Sequence, residues 1–153
     1  MPWQIGTRPF LWPDMEADEY RKLAEVEDQM WYFHALHGHI ERSLARGIPE
    51  KGKVPDAGGG PGGHIRRLAP RHPDWQWTGI DLEPIACDLA RERVVGAEIP
   101  RGSVTALPLA DGTFDAVVSA DVLHHVDDDE AALRQFFRVL RPGGVVGTRP
   151  FCS

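Results

Sequence analysis

A glycine-rich stretch near the middle of the chain constrains the fold more than any other feature. Five of the six residues from Gly58 to Gly63 are glycine, and the sixth is proline. A short apolar segment precedes this stretch, and an apolar periodicity typical of a helix follows it over residues 63–69. Glycine permits positive φ angles and a close approach to the backbone. The pattern predicts a strand, a tight turn and a helix whose first N–H groups face a ligand.

The spacing of the glycines and of a later aspartate favours a nucleoside cofactor. Gly58, Gly60 and Gly63 match the pattern G-x-G-x-x-G, and Asp81 lies 18 residues after the last of them. A carboxylate at the end of the second strand can accept hydrogen bonds from both hydroxyls of an adenosine ribose. The alternatives are a flexible glycine linker and, for Asp81, a helix cap.

Strand-like and helix-like segments alternate along the rest of the chain. The predicted strands cover residues 54–57, 75–82, 101–104, 114–118 and 145–151. The predicted helices cover residues 63–69, 84–95 and, from a cap at Asp127 or Asp128, the segment to Leu140, where Pro142 and two glycines would stop it. Such alternation implies a parallel sheet with right-handed crossovers.

A helical segment precedes this core. We expect residues 1–50 to form an N-terminal arm and helices, and residues 51–153 to form the core of a single domain. Asp14 would cap a helical region that runs to about Arg46 with a break. Its predicted apolar stripe consists of Ala24, Met30, Trp31, Phe33, Leu36, Ile40 and Leu44.

The composition of the chain argues against several classes of binding partner. The net charge of −6 argues against nonspecific binding to nucleic acid or to an anionic membrane. No apolar run approaches the ~20 residues of a membrane span, and the start does not resemble a secretory signal. Cys87 and Cys152 are isolated, so we interpret them as reduced thiols of a cytoplasmic protein.

Asp56, two residues before the first glycine, indicates the charge of the cofactor. A carboxylate there would repel a pyrophosphate but would attract an ammonium or a sulfonium group. With this residue the chain resembles the class I S-adenosylmethionine-dependent methyltransferases that act on small molecules. The resemblance rests on DAGGGPGG at 56–63, GIDLEP at 79–84, ALPLADGTFDAVVSADVLHHV at 106–126, FRVLRPGG at 137–144 and the N-terminal segment MWYFHALHGHIERSL.

The resemblance implies a Rossmann-like, doubly wound α/β core in three layers, with S-adenosyl-L-methionine as cofactor and a small molecule as methyl acceptor. Asp56 would reach the amino end of the cofactor, Asp81 would hold the ribose, and Leu82 would pack on the adenine. Ser119 would face the transferring methyl group. The full set of implied cofactor-binding residues is Asp56, Ala57, Gly58, Gly59, Gly60, Asp81, Leu82, Ser103, Val104 and Ser119.

The candidates for a general base are weak. His124 and His125 would stand at the wall of the acceptor pocket and titrate near neutral pH, although LHHV often serves as a structural turn in this family. His34, His37 and His39 do not share one helix face, so we predict no metal site there.

Three departures from the family pattern leave other functions open. Pro55 interrupts a central strand, and Ser103 replaces the usual acid at the adenine edge. The family's sheet has seven strands, whereas this chain would be truncated after about the fifth, so we expect a homodimer that covers the open edge or impaired activity. The alternatives are a non-catalytic domain that binds S-adenosylmethionine or S-adenosylhomocysteine, and an NAD-dependent oxidoreductase.

Overall fold

A four-stranded parallel sheet forms the centre of the molecule. The computed structural model describes residues 16–120, 122–123 and 126–148. The strands are β1 (Lys53–Ala57), β2 (Gln76–Ile80), β3 (Phe114–Ser119) and β4 (Leu140–Thr148), in the spatial order β2-β1-β3-β4. The helices are α1 (Ala17–Glu27), α2 (Trp31–Ala45), α3 (Gly63–Leu68), α4 (Pro84–Arg93) and α5 (Asp129–Val139). The chain leaves β1 towards β2 and later returns to its other side at β3, so a crevice is expected at their carboxyl ends.

Helices cover both faces of the sheet. Ile40 of α2, Ile65 of α3 and Ala90 of α4 pack on one face, in a core that includes Val54 of β1. Phe136 of α5 packs on the other face, in a second core. The Rossmann-like, three-layer α/β fold with helices at its N-terminus is therefore confirmed. None of the helices in the described ranges is long and apolar enough to cross a membrane.

The predicted apolar stripe of the N-terminal helices was partly wrong. Leu36, Ile40 and Leu44 are buried, but Met30 is 44% exposed and Trp31 is 78% exposed. The helical region is broken between α1 and α2, and these two residues lie at the break. The break resets the helical phase, so the spacing of residues in α1 no longer predicts the buried face of α2. Asp14 lies outside the described residues, and the Glu19 carboxylate accepts a hydrogen bond from the N–H of Glu16 at 2.9 Å.

Two further element predictions need correction. Residues 101–104 form isolated bridges, including the Asp81–Arg101 pair, and no named strand covers them. The segment RPGG does not stop a helix, because α5 already ends at Val139 and β4 begins at Leu140. Leu140 pairs with Phe114, and a register shift then separates this pair from the next one.

Two arginines of the FRVLRPGG segment, Arg138 and Arg141, connect β4 to the neighbouring strands and to the loop that precedes β3. The Arg138 guanidinium donates to the carbonyl oxygens of Leu107 and Leu109 at 2.9 and 2.8 Å. Arg141 pairs with Asp115, whose other carboxylate oxygen accepts the N–H of Lys53 at 2.7 Å. The segment therefore links β4, β3 and β1 and fixes the loop that precedes β3.

Pro55 lies inside β1, between two neighbouring strands. Hydrogen bonds to β2 flank it, from the Gln76 N–H to the Gly52 oxygen and from the Gly58 N–H to the Ile80 oxygen. Gly52 and Gly58, which flank β1 at even-numbered positions, both bond to β2. Because successive residues of a strand direct their N–H and C=O groups to opposite neighbours, the nitrogen of Pro55 faces β3. A single register pair, Asp56 with Val118, joins β1 to β3. The N–H group that Pro55 lacks would therefore point towards β3, the neighbour with which β1 has fewer paired residues.

Candidate functional site

A cavity of about 410 Å³ opens at the carboxyl ends of the strands. Its volume lies within the range of small-molecule binding sites. Turns after β1 and β2, the loop before β3, the segment after β3 and helix α1 all contribute to its wall. The lining residues are Tyr20, Gly58, Gly60, Asp81, Leu82, Glu83, Gly102, Ser103, Val104, Thr105, Val122, Val126, Asp127 and Asp128.

Two residues of the glycine turn Gly58–Gly63, Gly58 and Gly60, line this cavity. Gly58 has a φ of +76°, and a Cβ there would lie 2.1 Å from Cγ2 of Val122. Gly60 has a φ of +56°, and a Cβ there would meet no atom within 4 Å. The first position therefore needs glycine for space as well as for conformation. The second keeps open space above the backbone, as a cofactor cradle requires.

Asp81 joins the glycine turn to the start of α4. Its Oδ2 accepts the N–H of Gly60 at 2.9 Å, and its Oδ1 accepts the N–H of Glu83 at 3.0 Å. Burial raises the pKa of the Asp81 carboxyl, as do the charges of Glu83 and Asp56, while the two backbone hydrogen bonds oppose this shift. Each oxygen of the ionised carboxylate retains acceptor capacity that could receive a ribose hydroxyl.

The predicted adenine contacts lie together on another wall. Leu82 is 54% exposed and presents its side chain to the cavity. Val104 is buried, whereas the Ser103 hydroxyl lies 2.8 Å from the Thr105 hydroxyl and also accepts the Thr105 N–H at 3.2 Å. The Ser103 hydroxyl is thus already hydrogen-bonded within its own loop. A contact between Ser103 and the edge of an adenine stays a prediction.

Four of the predicted cofactor residues, Asp56, Ala57, Gly59 and Ser119, are not among the residues that line the cavity. Asp56 is 1% exposed and lies beneath the glycine turn, with Oδ2 3.5 Å from Nδ1 of His64. Ala57 is fully buried in the core under α5. Ser119 is fully buried at the end of β3, and its hydroxyl has no hydrogen-bond partner among the described residues. Their cofactor-binding roles stay predictions.

Tyr20 is a cavity residue that the sequence reasoning missed. It lies on α1, is 2% exposed, and lines the cavity together with Asp81 and Glu83. Burial raises the pKa of its phenol, and the negative charges of Asp81 and Glu83 raise it further. Tyr20, Ala24 and Glu27 are spaced four and three residues apart, and this helical spacing could have indicated a shared inward face.

A buried ion pair docks α1 against the glycine turn. Arg93 of α4 donates to Oε2 of Glu27 at 3.0 Å and to the carbonyl of Pro61 at 2.8 Å. A Cβ on Gly63 would lie 2.4 Å from the Glu27 carboxylate, so this glycine is needed for the contact. Burial raises the pKa of Glu27, and the Arg93 hydrogen bond and charge oppose the shift. Tyr20 is carried on the helix that this pair anchors.

His124 and His125 lie outside the described residues, as does Asp121. Val122 and Val126, on either side of the histidines in sequence, line the cavity. A catalytic role for either histidine stays a prediction.

Comparisons with known proteins agree on one family. A family model described as a methyltransferase domain matches residues 55–147. An uncharacterized methyltransferase of Mycobacterium sp. (strain KMS) is 35% identical over 72% of this chain and 43% of its own length. Phosphoethanolamine N-methyltransferase 1 of Arabidopsis thaliana is 35% identical over 94% of this chain and 33% of its own length. The chain thus spans less than half the length of these curated relatives.

A solved structure shows the same fold. A Methanococcus maripaludis protein assigned to the S-adenosyl-L-methionine-dependent methyltransferases superposes with a TM-score of 0.76 and 22% identity. The match covers 87% of this chain and 64% of that one. The superposition shows that the two proteins have the same arrangement of the sheet and its helices.

Proposed function

We propose, from the premise that this chain belongs to the methyltransferase-domain family of class I S-adenosylmethionine-dependent enzymes, that its cavity binds S-adenosyl-L-methionine for methyl transfer to a small molecule. The observation that carries the proposal is the pairing of a glycine cradle with Asp81. The N–H of Gly60 donates to Asp81 at 2.9 Å, so the cradle and the ribose acceptor are built as one unit. The family assignment favours this cofactor over NAD.

The residues present fit the adenosine part of that cofactor. Gly60 leaves open space above the turn, Asp81 offers two carboxylate oxygens, and Leu82 offers an exposed apolar surface. Ser103 and Val104 stand at the side where the adenine edge would lie. The binding of an apolar ring with a few well-placed polar contacts is the usual pattern of such sites.

In this reaction the protein would bind the cofactor and align the acceptor with its methyl group. The cofactor, when bound, supplies a methyl group on a positively charged sulfur. Alignment of the acceptor with that methyl group is expected to supply most of the acceleration. Tyr20 of α1 and Val122 of the segment after β3 both line the cavity and would restrict the acceptor's position and exclude water. His124 or His125 would take a proton only from an acceptor that must lose one.

The acceptor is proposed as a small molecule. The Arabidopsis relative is named for phosphoethanolamine, a small amine, and it matches 94% of this chain. We propose that the acceptor lies at the side of the cavity lined by Val126, Asp127 and Asp128. We further propose a cytoplasmic protein, in which the buried Cys87 remains a free thiol.

A homodimer is also proposed. β4 has nine residues and pairs with β3 on one side, while its other edge has no strand partner within the described part of the chain. Unpaired N–H and C=O groups along such an edge favour pairing with a second copy. Light scattering coupled to size-exclusion chromatography should give twice the chain mass, and a strict monomer at all concentrations would refute the dimer.

Calorimetry with three ligands tests the cofactor assignment. S-adenosylhomocysteine should bind, S-adenosylmethionine should bind, and NAD should give no heat. Transfer of a labelled methyl group should then be measured over a panel of small amines, alcohols and acids. Binding of S-adenosylhomocysteine without transfer to any acceptor would favour the non-catalytic alternative, and binding of neither adenosyl compound would overturn the proposal.

A further inference from the structure

Two hydroxyl side chains, Ser103 and Thr105, lie in one wall of the cavity, in the loop that precedes β3. Their oxygens are 2.8 Å apart, and either hydroxyl can donate the hydrogen of the bond that joins them. The Ser103 oxygen also accepts the N–H of Thr105 at 3.2 Å. We call these two side chains the hydroxyl pair. Their own hydrogen bonds hold them side by side at the edge of the cavity.

The hydroxyl pair has hydrogen-bonding capacity left over for a ligand. A hydroxyl group has one hydrogen to donate and two lone pairs that accept. The mutual bond uses one hydrogen and one lone pair, and the N–H of Thr105 uses one more lone pair of Ser103. One donor and two acceptors therefore remain. When Ser103 donates to Thr105, the free hydrogen belongs to Thr105, and when the mutual bond is reversed, the free hydrogen belongs to Ser103.

The hydroxyl pair adjoins the carboxylate that would bind the ribose. The N–H of Gly102 donates to the carbonyl of Asp81 at 2.9 Å, and Nε of Arg101 donates to the carbonyl of Leu82 at 2.7 Å. Leu82 lines the same cavity and is 54% exposed. In a nucleoside the base is bonded directly to the ribose, so a ribose on Asp81 brings its base to a neighbouring part of the wall. The apolar face of Leu82 and the hydroxyl pair beside it form such a part.

We propose that the hydroxyl pair contacts the edge of the base and accepts hypoxanthine as well as adenine, so that the cavity binds adenosyl and inosyl compounds with similar affinity. Adenine presents an amino donor at carbon 6 beside the acceptor N1. Hypoxanthine presents a carbonyl acceptor at carbon 6 beside an N1–H donor. The hydroxyl pair matches the second pattern by reversing its mutual bond. The inference rests on the proposed function and concerns which nucleobase the same site accepts.

A carboxylate in place of the hydroxyl pair would select one base. An ionised carboxylate only accepts hydrogen bonds, so it favours the amino group of adenine and repels the carbonyl of hypoxanthine. The segment 101–105 contains no acidic residue. Glu83, Asp127 and Asp128 also line the cavity, but they lie at the starts of α4 and α5. The part of the wall that is bonded to Leu82 and Asp81 therefore offers hydroxyls that can reverse their roles.

Three ligands that differ only in the purine test the proposal in the unmodified protein. S-adenosylhomocysteine carries an amino group at carbon 6, S-inosylhomocysteine carries a carbonyl there, and the corresponding purine analogue carries only hydrogen. The first two dissociation constants should agree within about fivefold, and the third ligand should bind more weakly than either, because it leaves the hydroxyl pair without a partner. A larger preference for the adenosyl compound would overturn the proposal, as would a third ligand that binds as tightly as the other two.

The deciding variant is Ser103→Asp, which introduces a carboxylate and keeps an acceptor for the N–H of Thr105. It should weaken S-inosylhomocysteine about tenfold relative to S-adenosylhomocysteine. Ser43→Asp adds the same charge at an exposed position on α2 and should keep the wild-type ratio. An unchanged ratio in Ser103→Asp would place the base away from the hydroxyl pair and contradict the proposal. If Ser103→Asp fails to fold, the three ligands still decide the question in the wild type.

A second pair of ligands separates the base from the rest of the cofactor. 5′-Methylthioadenosine and 5′-methylthioinosine keep the nucleoside and lack the amino-acid part. Their dissociation constants should also agree within about fivefold, because the proposed contact lies in the base alone. If no adenosyl compound binds the wild type, the cofactor assignment itself fails. If the adenosyl compounds bind and the inosyl compounds do not, only the inference about the hydroxyl pair fails.

Discussion

An aspartate lies on each side of the glycine turn Gly58–Gly63, and the two carboxylates differ in their burial and in their hydrogen bonds. On the cavity side Asp81 accepts two backbone N–H groups and lines the open space. On the buried side Asp56 accepts no hydrogen bond among the described residues and faces the imidazole of His64. The difference follows from position, since Asp56 is still within β1 and paired with Gly79, whereas Asp81 lies just beyond β2.

This comparison shows that a carboxylate one residue beyond the end of a strand can contact groups that a carboxylate inside the strand cannot reach. A side chain inside the ladder is committed to one face of the sheet, and here that face is covered by helices. A side chain after the ladder can turn towards the N–H groups of the neighbouring turn. We therefore expect substitutions on the buried side to weaken the fold, and those on the cavity side to weaken ligand binding.

The largest effect is expected for Arg93→Met on the buried side. The side chains of Arg93 and Glu27 are 11% and 9% exposed, so the change leaves a buried carboxylate without its partner. The free energy of unfolding should fall by about 3 kcal/mol in chemical denaturation. Arg134→Met, which breaks an exposed pair on α5, should cost less than about 0.5 kcal/mol. An Arg93 variant as stable as this control would show that the pair does not anchor α1.

The next largest effect is expected for Asp81→Ala on the cavity side. The N–H groups of Gly60 and Glu83 lose their acceptor, and a bound ribose loses its carboxylate. Affinity for S-adenosylhomocysteine should fall about 100-fold, with a smaller loss of stability because water can reach the exposed groups. Asp88→Ala, at an exposed position on α4, should bind like the wild type. Titration calorimetry measures both, and unchanged affinity in Asp81→Ala would remove Asp81 from the site.

Two glycines that share a left-handed backbone conformation but lie at different locations sharpen the comparison further. Gly60 and Gly96 have φ angles of +56° and +79°, and a Cβ at either would meet no atom within 4 Å. Alanine at either position should cost about 1 kcal/mol of unfolding free energy, because a left-handed conformation is unfavourable with a Cβ. Only Gly60→Ala should also weaken S-adenosylhomocysteine. Equal affinities in the two variants would mean that the turn is not in contact with the ligand.

The smallest effect is a pH dependence on the cavity side. The raised pKa of Asp81 means that its carboxylate begins to protonate at a higher pH than an ordinary aspartate. A ribose donates its hydroxyls best to the ionised form, so affinity should be lost as the pH falls through this range. 5′-Methylthioadenosine should bind a few-fold more weakly at pH 5 than at pH 7.5. Asp81→Asn should give a flat profile, and a wild-type profile that is equally flat would contradict the shift.

The sequence was sufficient where a local pattern decides the structure. The apolar run of β3, whose six residues are all buried, and the Asp128 cap of α5 were both predicted. Asp81 was predicted as a ligand residue from spacing alone, and the structure places it on the cavity wall. The strand predicted at 101–104 was wrong because its few residues make only isolated bridges.

Contacts between distant segments could not be predicted in the same way. Tyr20 lines the cavity from α1, and an ion pair between Glu27 and Arg93, 66 positions apart, joins that helix to α4. His64 sits in a segment whose glycines indicate backbone geometry, and nothing local shows that its ring meets Asp56 and His37. These relations depend on packing between elements, which neither periodicity nor motif spacing specifies.

Pro55 has a consequence for the chain before it folds. Lys53–Ala57 becomes one of the most buried strands, so an unfolded chain exposes a segment that could stack with copies of itself into cross-β aggregates. Proline cannot donate a hydrogen bond to such a stack, and Lys51 and Lys53 add repulsion between copies. The same residue that lowers the number of hydrogen bonds between β1 and β3 is therefore expected to reduce self-association of newly made chains.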